Sequence, residues 1–70
     1  MKIQVCFKDA TVLPVVIDEL LFVKVGNAIL ENEKLESIPL NQDAQAIFAG
    51  KNQVLTARVK DILYLQLVKD

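Results

Sequence analysis

Leu20-Leu21-Phe22-Val23-Lys24-Val25 is the stretch on which the fold turns. Read as a strand, it is apolar on both faces. Leu20 and Phe22 point one way; Leu21, Val23 and Val25 point the other, and only Lys24 interrupts. Such a strand needs cover on both sides. Asp18-Glu19 precedes it and the turn pair Gly26-Asn27 follows it. The rival reading is a helix with Pro14 in its first turn and Gly26 as its cap. Val15, Val16, Ile17, Val23 and Val25 are β-branched and oppose that helix. Asp18, Glu19 and Lys24 also fail to gather on one helical face. Strands are the better reading.

Upstream, Ile3, Val5 and Phe7 alternate with Lys2, Gln4, Cys6 and Lys8. Period two predicts a half-buried first strand. Asp9-Ala10 reads as a tight turn in which Ala10 stands where glycine is usual, unless the loop extends through Thr11. Val12–Ile17 reads as a second strand. Pro14 cannot donate to a ladder, which puts this strand at an edge or a bulge.

Downstream, Ala28–Glu31 and Leu35–Leu40 read as short strands joined about Asn32-Glu33. Asn41 can cap one helical turn over Asn41–Ala44. Ala46–Ala49 is extended again, and Gly50-Lys51-Asn52 is the strongest turn signal in the chain. Leu55, Ala57 and Val59 alternate with Thr56, Arg58 and Lys60, until Asp61 breaks the pattern. Ile62–Val68 closes the series. It carries Leu63, Leu65 and Leu67 on one face and Ile62, Tyr64 and Val68 on the other, so it too is apolar on both sides. The expected fold is all-β: one domain over residues 1–70, a small antiparallel barrel or sandwich of six to seven short strands with one helical turn. Its size is that of SH3-like and Sm-like barrels, an analogy of size and pattern that carries no function.

Seventy residues bury a limited core. Cys6 is the single cysteine and there is no histidine, so an intrachain disulfide and a Cys/His zinc site are both excluded. Hydrophobic residues are 53% of the chain, more than so small a body readily hides. Association is the staple that remains. The net charge of -1 attracts neither nucleic acid nor an anionic membrane over the whole surface. The apolar run Val12–Ile17 is far shorter than a membrane span, and the start of the chain lacks the apolar core of a signal peptide. A lone thiol and no export signal point to the cytoplasm.

The inventory for catalysis is poor. The commonest general base is missing, Ser37 is the only serine, and Glu36 would lie on the opposite strand face. No enzyme activity and no cofactor is expected. Cys6 reads as a small hydrophobe with an inert thiol. Glu31, Glu33 and Glu36 lack calcium-loop spacing and read as a solvated hairpin tip. The leading expectation is a non-enzymatic assembly or binding module acting through homo-oligomerisation, with a further protein partner as a variant. Its interface candidates are Leu20, Leu21, Phe22, Val23, Val25, Ile62, Tyr64 and Val68. The alternative is a small nucleic-acid-binding or regulatory barrel using Lys51, Arg58 and Lys60. It is the less favoured, because base-stacking surfaces need exposed aromatics and only Tyr64 is patterned outward.

Overall fold

Alternating residues make strands along most of the described chain. A computed structural model describes residues 1–30 and 43–69. Its strands are β1 (Lys2–Phe7), β2 (Val15–Ile17), β3 (Leu20–Val25), β4 (Ala28–Leu30), β5 (Gln45–Gly50), β6 (Val54–Arg58) and β7 (Ile62–Val68). They form two antiparallel sheets, ordered β2-β1-β7 and β4-β3-β5-β6. The small all-β fold is therefore as expected. The strands expected at Leu35–Leu40 and the hairpin about Asn32-Glu33 lie outside the described residues. So do Asn41 and Gln42 of the expected helical turn; the 3-10 turn that is seen lies later, at Val59–Asp61. No helix among the described residues is long and apolar enough to cross a membrane.

The inner faces meet in one core. Ile3, Val5 and Ile17 of the three-stranded sheet pack with Val23, Val25, Ala46 and Phe48 of the four-stranded sheet. Val59 and Ile62, from the turn and the strand that follows it, complete the cluster. Phe48 is its largest fully buried member. Truncating a buried phenylalanine to alanine costs about 3–5 kcal/mol, a large share of the ~4–10 kcal/mol available to a chain of this length.

β2 and β3 belong to different sheets, and only Asp18-Glu19 joins them. The corner is sharp, and Glu19 takes a positive φ of 50° to make it. Several hydrogen bonds hold it. Leu20 N donates to Met1 O at 2.8 Å, and Lys51 N donates to Glu19 O at 3.2 Å. Asp18 N donates to Gln53 Oε1 at 3.2 Å, while Gln53 Nε2 donates to Val16 O at 3.3 Å. One side-chain amide thus ties the β5–β6 hairpin to the edge of β2. Gly50 permits this close approach: a Cβ would stand 2.7 Å from Asp18 O and 2.7 Å from Ile17 Cγ2.

Two local expectations need correction. The β1–β2 connection is not a tight Asp9-Ala10 turn but the longer loop through Thr11 that was the alternative. Val12 N donates to Asp9 O at 3.0 Å, and Asp9 Oδ1 accepts from Thr11 N and Thr11 Oγ1. Ala10 has no positive φ, so nothing there calls for glycine. The second strand is also shorter than Val12–Ile17. It begins at Val15, after Pro14, and Val12 and Leu13 are exposed in the loop. It does lie at a sheet edge, as proline requires. By contrast Gly26-Asn27 is a turn, as expected, and makes a two-residue hairpin between Val25 and Ala28, with glycine at a φ of 60°.

Candidate interaction surface

The two β-bulges decide which apolar side chains face outward. In β3, Leu20 pairs with Gly50 and Phe22 with Ala49, which leaves Leu21 as the extra residue. The bulge turns Leu20 toward the core and leaves Leu21 60% exposed. Strict alternation had placed Leu21 with Val23 and Val25, and that placement is corrected. In β7, Phe7 pairs with Ile62 and Cys6 with Tyr64, so Leu63 is the extra residue. Ile62 therefore enters the core and Leu63 is exposed, the reverse of the alternating pattern.

The eight interface candidates sort accordingly. Val23, Val25 and Ile62 are buried in the chain's own core and are not available to a partner of the folded domain. Leu20 packs against that core at its margin. Phe22, Leu21, Tyr64 and Val68 remain outward, Phe22 half-buried and the other three exposed.

Register builds the outer faces. On the four-stranded sheet, Phe22, Ala49 and Val54 lie side by side in one row, Phe22 half-buried, Ala49 buried and Val54 69% exposed. The next row runs Ile29, Lys24, Ile47 and Thr56. Lys24 is the sole charge in these two rows. On the three-stranded sheet, Val16, Gln4 and Gln66 form the middle row. Cys6 with Tyr64, and Lys2 with Val68, flank it. Val54, Ile29 and Gln66 were not singled out by the sequence. Val54 precedes the alternating run that begins at Leu55, and only the ladder shows which side it takes.

Tyr64 lies over the buried Cys6 thiol, and hydrogen bonding to Cys6 pushes its phenol above the ordinary value. The thiol is shielded, as an inert small hydrophobe would be.

A shallow cleft of about 530 Å³ lies between the β1–β2 loop, β6 and the 3-10 turn. Phe7, Val12 and Ala57 supply its apolar wall, and Lys8, Asp9, Thr56 and Asp61 its polar one. Hydrogen bonds from the Thr11 hydroxyl and then the Thr11 amide hold the Asp9 carboxyl below its usual range. No group of His, Cys, Asp or Glu among the described residues could hold a metal ion. Glu31, Glu33 and Glu36 lie outside the described residues.

The basic set does not form one patch. Lys51 sits in the β5–β6 turn and Arg58 at the far end of β6, roughly 20 Å away along the strand. Lys60 belongs to the 3-10 turn, so it does not continue the strand face of Thr56 and Arg58. Phe48 is fully buried, and Tyr64 is the one exposed aromatic among the described residues. The chain matches no protein-family model, no curated protein and no solved structure.

Proposed function

We propose that this chain is a non-enzymatic assembly module that works through homo-oligomerisation. The observation that carries the reading is the outer face of the four-stranded sheet. Phe22, Ala49 and Val54 form an apolar row there, Ile47 and Ile29 extend it, and a single lysine interrupts it. Val54 and Ile29 are exposed at its two edges and Phe22 and Ile47 are half-buried between them, an apolar surface of the kind that marks interaction sites. A second copy is the simplest cover, because the same face is then satisfied on both partners. A reducing, cytoplasmic setting suits the lone buried thiol.

Multi-angle light scattering across a concentration series tests it, with one charge placed on each side of β3. Phe22→Glu puts a carboxylate on the outer face; the chain stays folded by circular dichroism and shifts to a smaller or weaker assembly. Val23→Glu buries the same carboxylate in the core and the fold is lost. A wild-type chain that runs as a compact monomer at tens of micromolar ends the proposal. Salt-dependent retention on heparin would instead favour the nucleic-acid alternative.

A further inference from the structure

We infer that β7 is a second seam between copies of this chain: it pairs antiparallel with β7 of another copy about a two-fold axis at Gln66. The inference rests on the self-association proposed above and adds a specific contact to it.

The two sheets present four edge strands among the described residues. Exposed edges are ordinarily blunted by shortness, proline, charge or a covering group. β2 and β4 are three residues each. β2 also follows Pro14 and is covered by the Gln53 amide. β6 ends on Arg58. β7 is the exception: seven residues long, with no proline and no charge from Ile62 to Val68. Its one ladder neighbour among the described residues is β1.

The bulge selects the register. With Leu63 as the extra residue, the regular part of β7 is Tyr64–Val68, and its midpoint is Gln66. Antiparallel partners that keep their cores on the same side must set outward residues opposite outward residues. Centred on Gln66, the pairing does so along its whole length. Tyr64 meets Val68 of the second copy, and Leu65 meets Leu67. Gln66 meets Gln66, and since Gln4 already stands beside Gln66, four amides form one row across the seam. Each amide is both donor and acceptor, so the row is self-complementary. Centring on Leu65 would set Gln66 against Tyr64 and bring in the irregular Leu63.

The contact is small, on the order of 800 Å² over both copies, below the ~1,200 Å² at which stable interfaces begin. The seam alone is therefore weak and reversible, and it adds to the apolar face.

Introduced thiols read the register directly, in a Cys6→Ala background that removes the native one. Opposed residues of an antiparallel pair have Cα atoms about 4.5–5.5 Å apart, within disulfide reach. Gln66→Cys, at an exposed position, should therefore give a covalent dimer on mild oxidation. Tyr64→Cys or Val68→Cys alone should cross-link at least tenfold less, because like positions then lie about 13 Å apart. Mixing those two variants should restore the cross-link between them. Gln66→Lys should weaken the wild-type assembly while the circular dichroism spectrum is unchanged. An assembly that persists while the thiols at position 66 stay reduced overturns the seam and leaves the face reading standing. So does cross-linking of equal yield at all three positions. A monomeric wild-type chain overturns both.

Discussion

Gly50→Ala should be the most damaging small substitution outside the core. The new Cβ would stand 2.7 Å from the Asp18 carbonyl oxygen and 2.7 Å from Ile17 Cγ2. Each contact is about 0.8 Å short of the ~3.5 Å at which heavy atoms rest. Neither neighbour yields easily. Ile17 is 1% exposed and sits in the core. Asp18 lies in the corner that the Gln53 amide and the Lys51 amide hold in place. Forcing a methyl into a packed site costs about 1–3 kcal/mol. The loss of glycine's freedom in the unfolded chain returns about 0.4–1 kcal/mol, since Gly50 has no positive φ. The net expectation is about 1–2 kcal/mol of destabilisation. A chain of this size has a urea slope near 1 kcal/mol/M, so the midpoint should fall by about 1–2 M. Wild type and variant must be compared at one protein concentration, because self-association contributes to apparent stability. An unchanged or higher midpoint would refute the close approach of the two sheets at Gly50.

Glu19 holds the opposite kind of strain. Glu19→Gly should raise stability by about 0.5 kcal/mol, as relief of a left-handed side chain outweighs the added unfolded-state freedom; a fall in the urea midpoint would place the corner elsewhere. Cys6→Ala should bring the Tyr64 titration down toward its ordinary value near 10, read cleanly as phenolate absorbance because Tyr64 is the only tyrosine. A raised phenol stabilises below about pH 10, and that contribution is lost as pH rises through the folded value; an unmoved titration in the variant would show the thiol is not the cause. Thr11→Val should raise the Asp9 pKa toward about 3.9 in a carboxyl-carbon titration by NMR. The lowered carboxyl contributes stability above about pH 4 that disappears as pH falls through its folded value, so the variant's stability should depend less on pH in that range.

The strands were legible because their alternation survives tertiary context. Ile3, Val5, Phe48, Leu65 and Leu67 sit on the sides that period two assigns them. What misled was the bulge, which alternation does not encode. One unpaired residue at Leu21 and one at Leu63 reversed the facing of Leu20 and Ile62. The 3-10 turn was concealed for a related reason. Val59 continues the alternation of Leu55 and Ala57, and its amide still bonds Ala44 O at 2.9 Å in register with the Gln45–Arg58 pair, so the pattern gives no sign of the turn before Asp61. The candidate surface was half visible. Tyr64 was read outward and Phe22 was named as an interface candidate, but Val54 and Gln66 gain meaning only from the strands beside them. A residue's neighbours across a ladder are set by register, and register depends on turns and bulges far along the chain.

The pairing of β1 with β7 sets Lys2 directly beside Val68. Tension applied between these two positions pulls across the ladder rather than along it. The bonds then carry the load one pair at a time, starting at Lys2 and Val68 and running toward Cys6 and Tyr64. Such a domain opens like a zip at low force. Tethered instead at Lys51 and Val68, it would meet the load with the corner tie at Glu19 engaged. The same small body is thus mechanically soft along one axis and firmer along another, and its strength is a property of where it is held.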